Sequence, residues 1–291
     1  MPRGRAPILV AALVMVVWGA SPALTKIAAR DFSSLEVAVL RTLLAGLVAA
    51  PIVLATREAL PAGRHHRSLL LVSAISGFVA FPILFTVGQG RTSAMHGNMI
   101  LAALPIFTGT YASLVARRRP QRAWLLGSAV ALVGEVVLIG ARGGGGGDAT
   151  LVGDLIVLAA ALVVSAGYVA GAMLPPRGVS SAAATYWGVG LGALVLTPLA
   201  LGLFAADGVP EAGPAAWGAV LVLAAVTSIA GYVGWYWALS RGGIQRIATL
   251  QFLQPLSGFV LAVLVLGEGV GPGTAIGAAA VIGGVVIAQR A

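Results

Sequence analysis

The feature that most limits how this chain can fold is its series of long apolar runs. About ten windows of roughly 20 residues carry almost no charge. A helix of that length spans the hydrocarbon core of a bilayer, where every backbone hydrogen bond must be made internally. The sequence therefore predicts an all-α, polytopic membrane protein with ten transmembrane helices, at roughly 7–29, 34–56, 68–88, 93–116, 122–141, 153–174, 180–204, 215–239, 246–266 and 271–289.

Charge is scarce along the chain and is unevenly distributed between the predicted loops. Only 9% of the residues are charged, whereas soluble proteins carry about 25%. With the N-terminus in the cytoplasm, 13 of the 18 Lys and Arg residues fall on the cytoplasmic side, and four fall outside: Lys26, Arg30, Arg91 and Arg142. This bias predicts a multi-pass protein of the cell inner (plasma) membrane with both termini cytoplasmic. It also accounts for the net charge of +9 without a nucleic-acid partner.

A glycine-rich segment divides the chain near its middle. Residues 143–147 are all glycine and cannot form a stable helix, so 142–152 are predicted to link two five-helix repeats, 1–141 and 153–291. A shift of 150 residues pairs Pro105 with Pro255, Arg91 with Arg241, Gly127 with Gly277, Gly134 with Gly284, Trp18 with Tyr168, and Phe85 with Trp235. Because five is odd, the second repeat enters the membrane from the opposite side. Inverted repeats are typical of transporters with a site at the repeat interface.

The stretch 231–268 reads as two apolar helices joined by a short basic turn, and it carries the strongest site signal. Tyr232, Trp235 and Tyr236 share one face of the first helix. Gln251 and Gln254 share one face of the second, directly before a proline. Aromatic rings and a few aimed amides are what a wall of a solute-binding cavity needs. The alternatives are a lipid-facing aromatic belt for the rings and helix–helix hydrogen bonds for the amides.

One histidine and two deep charges add further candidates. His96 opens span four and is a candidate proton-sensitive group, although such a residue also serves as a simple hydrogen-bonding group. Arg41 and Glu135 each lie about 10 Å below the outer end of their spans by helical rise. That common depth predicts a structural ion pair between them. Binding of a substrate carboxylate by Arg41 is the alternative.

Several segments together resemble the EamA family of the drug/metabolite transporter superfamily. They are WGASPALTK, the Leu40–Arg41 pair, LPIFTGTYASLVARRRP, LQFLQPLSGFVLAVLVLGE and GTAIGAAAVIGGVVI. The resemblance covers essentially the whole chain in two copies, and is greatest to the YddG-type amino-acid exporters. It implies a ten-helix basket around a central cavity, working by alternating access. The cavity positions that it implies here are Trp18, Phe78, His96, Tyr168, Tyr232, Trp235, Gln251 and Gln254.

The residues leave two transport functions open and disfavour an enzyme. One is export of amino acids or related small metabolites; the other is broad export of hydrophobic cations or drugs, held by cation–π contacts. A membrane enzyme needs a carboxylate cluster or a nucleophile with its base, and no DDxxD, HExxH or GxSxG motif occurs. No catalytic residue, metal site or cofactor is predicted. The expected partners are a small-molecule substrate and the bilayer, and the spacing of Gly273 and Gly277 allows a homodimer.

Overall fold

The chain is helical throughout the part that the structure describes. The structure, a computed structural model, describes residues 5–58, 60–92, 100–140, 150–208, 210–258 and 272–290, and no strand occurs in these ranges. The helices are α1 (Ala6–Gly19), α2 (Ser21–Ala28), α3 (Ser34–Thr56), α4 (Arg64–Ala74), α5 (Phe81–Gln89), α6 (Leu104–Ala116), α7 (Arg122–Gly140), α8 (Leu151–Ala172), α9 (Ser181–Asp207), α10 (Pro214–Val222), α11 (Gly231–Gly242), α12 (Ile244–Ala248) and α13 (Pro272–Ala288). Two π-helical segments, π1 (Ile75–Ala80) and π2 (Leu223–Ala230), join α4 to α5 and α10 to α11.

Within the described residues, six continuous helical runs are long and apolar enough to cross a membrane. They are Ala6–Ala28, Ser34–Thr56, Arg64–Gln89, Leu151–Arg177, Ser181–Ala205 and Pro214–Gly242. Leu104–Ala116 and Ala275–Ala288 are shorter apolar helices, and α7 has 19 residues. The prediction of an all-α, multi-span membrane protein is thereby confirmed. Predicted spans four and nine and the glycine-rich linker lie partly outside the described residues, so the count of ten stays a prediction.

Several helices begin at residues that satisfy their first free amides. Ser33 and Glu36 form a reciprocal capping box at the start of α3, with hydrogen bonds of 3.2 and 2.6 Å. Thr150 and Ser180 accept hydrogen bonds from amides in the first turns of α8 and α9, at 3.1 and 2.9 Å. These polar caps mark the residues at which the chain leaves a loop and begins a helix.

The two π-helical segments occupy equivalent places in the two halves of the chain. Shifted by 150 residues, π1 falls inside π2. Each interrupts a long helix. A π-helical turn inserts an extra residue and changes the direction in which the backbone groups point. Both segments lie beside the cavity described below.

Glycines bring α7 and α13 into backbone contact, and the two helices run antiparallel. A Cβ atom on Gly127 would lie 2.5 Å from the carbonyl oxygen of Gly284, and one on Gly134 would lie 2.9 Å from that of Gly277. Only glycine permits such an approach. Gly277, considered above for a dimer face, is therefore used inside the monomer. The shift of 150 residues exchanges these two contacts.

Candidate functional site

A cluster of aromatic side chains occupies the centre of the protein. Trp18 contacts Tyr168, Tyr232 and Trp235, with ring centroids 5.5, 5.4 and 5.7 Å apart. Phe78 packs on Tyr232 at 4.5 Å. All five rings are buried. The structure thus brings together five of the residues that were predicted to line a cavity, from α1, π1, α8 and α11.

Backbone carbonyls of the π-helical segments hold two of these rings in place. The indole Nε1–H of Trp18 donates to the carbonyl of Thr227 in π2, at 3.0 Å. The hydroxyl of Tyr232 donates to the carbonyl of Gly77 in π1, at 3.1 Å. Such interruptions are frequent at functional sites, because they offer carbonyl groups to side chains or ligands. The π segment of each half therefore holds an aromatic ring that belongs to the other half.

A small cavity lies against the aromatic cluster. Its volume is ≈ 30 Å³, and its lining comes from both halves of the chain: Trp18, Ser21, Arg41, Phe81, Leu104, Tyr168, Tyr232 and Gln254. This space suits about two water molecules, whereas small-molecule sites enclose about 300–1,000 Å³. The rings must therefore separate before a solute can occupy this space. Ser21, Phe81 and Leu104 were not predicted, because nothing in their residue types separates them from packing residues.

Arg41 lies at this cavity and is not paired with Glu135. Its Nη2 donates to the hydroxyls of Thr227 and Ser228, both at 3.1 Å, while neither carboxylate oxygen of Glu135 has a hydrogen-bond partner. The predicted ion pair is wrong because equal depth did not mean proximity. The helix α3, which carries Arg41, packs on α9 and π2, whereas α7, which carries Glu135, packs on α13.

The two predicted glutamines differ in their surroundings. Gln254 lines the cavity, whereas Gln251 is 1% exposed and neither its amide oxygen nor its nitrogen has a hydrogen-bond partner. The indole nitrogen of the buried Trp235 is also unpartnered. An unsatisfied buried polar group costs about 1–3 kcal/mol, and neither Gln251 nor Trp235 lines the small cavity. His96 lies outside the described residues.

The sequence matches a known family of transporters. The model of the EamA-like transporter family matches the chain twice, over residues 5–140 and 151–289. Together the two matches cover most of the sequence, and they fall on either side of the glycine-rich segment.

Individual relatives carry transporter names. The chain is 31% identical to the "Uncharacterized transporter YdeK" of Bacillus subtilis (strain 168) over 258 residues, covering 89% of this chain and 88% of the relative. It is 29% identical over 265 residues to a "Probable amino-acid metabolite efflux pump" of Salmonella typhimurium, covering 89% and 86%. It is 28% identical over 224 residues to a "Probable terminal-alkyne amino-acid exporter" of Streptantibioticus cattleyicolor, covering 76% and 73%.

A solved structure shares the fold. A crystal structure of a protein 22% identical in sequence aligns with a TM-score of 0.76, covering 98% of this chain and 96% of the other. At that identity the likeness concerns the fold alone.

Proposed function

Because the chain belongs to the EamA-like transporter family, we propose that it exports amino acids or related small metabolites from the cytoplasm. One observation carries this choice of substrate: the guanidinium of Arg41 lies at an aromatic-walled cavity and has no acidic partner among the residues that the structure describes. Two of the relatives described above are named as amino-acid transporters, which supports the same class.

The charge of Arg41 favours a substrate that carries a carboxylate. Arg41 is 5% exposed, its Nη2 is bound only by two neutral hydroxyls, and its Nε has no partner. A guanidinium presents a planar fork that matches a carboxylate, and a buried charge gains most from an opposite charge. The rings of Trp18, Tyr168 and Tyr232 would then pack on the side chain of the solute.

The same charge disfavours the second candidate, export of hydrophobic cations. At an effective dielectric constant of about 20, two like charges about 5 Å apart repel by about 3 kcal/mol. A single cation–π contact contributes about 0.5–2 kcal/mol, which is less than that repulsion. Arg41 therefore lowers the affinity of this cavity for a cation relative to that for a carboxylate.

The proposed architecture is a pair of inverted five-helix repeats that open alternately to the two sides. Three features support it: the double family match, the equivalent positions of π1 and π2, and the α7–α13 contacts that the 150-residue shift exchanges. A twofold axis between antiparallel helices is perpendicular to them and therefore lies in the membrane plane. A cavity of ≈ 30 Å³ also requires opening toward one side before it can admit a solute.

The substrate assignment is tested by flux measurements in proteoliposomes. The panel compares neutral amino acids, their methyl esters, which lack the carboxylate, and a hydrophobic quaternary ammonium ion. We expect flux of the amino acids only, and loss of that flux in Arg41→Gln. Arg30→Gln is the matched control, because Arg30 is exposed and does not line the cavity. Flux of the esters equal to that of the amino acids, or unchanged flux in Arg41→Gln, would contradict the proposal.

The proposed orientation, with both termini cytoplasmic in the inner membrane, has a separate test. The chain has no cysteine, so single cysteines can be introduced at the exposed positions Arg30 and Arg118. A membrane-impermeant thiol reagent should label Arg30→Cys in intact cells and fail to label Arg118→Cys. The reverse pattern would invert the orientation.

A further inference from the structure

One end of the protein is closed by a hydrogen bond between two loops. The carboxylate Oδ2 of Asp31, between α2 and α3, accepts from the backbone N–H of Gly213, between α9 and α10, at 2.8 Å. Beside it the rings of Phe32 and Trp217 meet edge to face at 5.0 Å. Beneath them lies a cluster of apolar side chains: Ala28, Phe32, Val37, Leu40, Ala216, Ala219, Val220 and Leu223.

The opposite end is closed by a second contact between loops. The carboxylate Oε1 of Glu58, between α3 and α4, accepts from the hydroxyl of Ser180, between α8 and α9, at 3.0 Å. The backbone carbonyl of Glu58 accepts from the indole N–H of Trp187 at 3.2 Å. One acidic residue thus joins two loops at each end of the molecule.

The repeat relates these two contacts to each other. Asp31 lies 150 positions before Ser181, the neighbour of Ser180, and Glu58 lies 150 positions before Gly208, in the loop that holds Gly213. Each contact therefore joins the same pair of loops, with the halves exchanged. In one contact the carboxylate comes from the loop before α3, and in the other it comes from the loop after α3.

The surroundings of the two hydrogen bonds can be compared. Behind Asp31 the apolar cluster fills the space between the elements. Beside Glu58 there is an open cleft of ≈ 330 Å³, whose lining includes Glu58, His66, Arg177 and Val179. Behind that cleft, Val179 and Trp187 pack against the main apolar core, so buried side chains lie behind both hydrogen bonds.

We propose that Asp31 and Glu58 are the two gate residues of the transport cycle, and that their hydrogen bonds break alternately. Both bonds are intact in this structure. Breaking the bond of Glu58 opens the cavity to its side, and breaking that of Asp31 opens it to the other. This inference rests on the proposed transport function, but its test does not require the substrate.

The test measures the accessibility of the cavity from each side. Ser21 lines the cavity, so Ser21→Cys reports its opening in a chain that has no other cysteine. An impermeant thiol reagent is applied to right-side-out and inverted vesicles. Asp31→Ala should raise labelling from the Asp31 side by about two- to tenfold, the effect of losing one hydrogen bond. Glu58→Ala should raise labelling from the Glu58 side by a similar factor and lower it from the Asp31 side.

Matched amide variants separate hydrogen bonding from charge. Asp31→Asn and Glu58→Gln remove the charge but keep an acceptor for the neutral donors Gly213 N–H and Ser180 O–H. They should label close to the parent rate. Equal effects of the amide and alanine variants, or labelling in the alanine variants that does not differ from the parent, would overturn the proposal. Ser180 is not substituted, because its hydroxyl also caps α9.

A disulfide provides an independent measurement if an alanine variant fails to fold. A Cβ on Gly213 would lie 3.4 Å from Asp31 Oδ2, so Asp31→Cys with Gly213→Cys places two thiols within reach. Oxidation should stop amino-acid flux and reduction should restore it; flux that survives complete oxidation would overturn the role of Asp31. Reciprocal labelling without flux of any amino acid would support the gates and contradict the proposed substrate. Amino-acid flux with unchanged labelling would support the proposed substrate and contradict the gates.

Discussion

The indole of Trp18 stacks on the phenol ring of Tyr168, with centroids 5.5 Å apart and planes inclined by 17°. The two residues are 150 positions apart and occupy the same place in the two halves of the chain. Each belongs to a helix that packs beside the π segment of one half, and both rings line the cavity. The pair therefore lies where the two halves meet, and under the proposed function it separates when the cavity opens.

Trp18 and Tyr168 should be energetically coupled. We expect the Trp18→Ala and Tyr168→Ala variants each to lower the thermal unfolding midpoint in detergent, since removing a buried aromatic side chain costs about 3–5 kcal/mol. The double variant should lose about 0.5–1.5 kcal/mol less than the sum of the two. Trp18 with Trp217 is the control pair, because Trp217 packs on Phe32 and its effects should add. Additive effects for Trp18 and Tyr168 would contradict the coupling.

A buried hydrogen bond between two hydroxyls makes a second double-variant test. Ser73 Oγ and Tyr236 Oη are 2.7 Å apart, and both residues are buried. Ser73→Ala leaves the tyrosine hydroxyl without this partner, at about 1–3 kcal/mol. We expect Ser73→Ala with Tyr236→Phe to be more stable than Ser73→Ala alone in a detergent unfolding assay. A double variant less stable than either single one would show that the hydroxyls act separately.

The sequence was informative wherever one-dimensional pattern decides the structure. Apolar run length predicted the six confirmed membrane-spanning runs, because a helix in lipid needs that length whatever surrounds it. Helical spacing placed Tyr232, Trp235 and Tyr236 on one face, and all three are buried together. The π segments were not foreseen, since no residue type at 75–80 or 223–230 marks a change of helical pitch.

Lateral position within the membrane could not be predicted in the same way. Helical rise gives the depth of Arg41 and Glu135 but does not tell which helices are neighbours. Their predicted pairing therefore failed, and the contacts of Arg41 with Thr227 and Ser228 were missed. Each of those hydroxyls is 186 or 187 residues away in sequence, and threonine and serine are common in membrane helices.

Because Arg41 and Glu135 are not paired, substituting either one should have its own separate effect. Glu135 is 1% exposed and both of its carboxylate oxygens lack a partner, so Glu135→Leu should raise the unfolding midpoint in detergent. Arg41→Leu should leave the amount of protein in the membrane near normal, because it strands no carboxylate, but it should abolish amino-acid flux. Arg41→Lys keeps the charge and is the control. A large fall in abundance in Arg41→Leu, rescued by adding Glu135→Leu, would restore the ion pair.

The close contact of α7 and α13 can be probed with two adjacent glycines. A Cβ on Gly284 would lie 2.5 Å from the backbone nitrogen of Ala131, whereas one on Gly283 would meet no atom within 4 Å. Gly284→Ala should therefore force the helices apart and lower the unfolding midpoint by the equivalent of about 1–3 kcal/mol. Gly283→Ala should be neutral or stabilising, because alanine is favoured over glycine within a helix by about 1 kcal/mol.

The repeat also predicts the size of the effect of a third variant, Gly134→Ala. Gly134 is the counterpart of Gly284 at a distance of 150 residues, and a Cβ on it would lie 2.7 Å from the backbone nitrogen of Val281. Because the two contacts are exchanged by the repeat, Gly134→Ala should destabilise to a similar extent as Gly284→Ala. Thermal unfolding of the three variants in one detergent provides the comparison. If Gly283→Ala were as harmful as Gly284→Ala, the loss would come from the helix itself; if Gly134→Ala were harmless, the two halves would not share this contact.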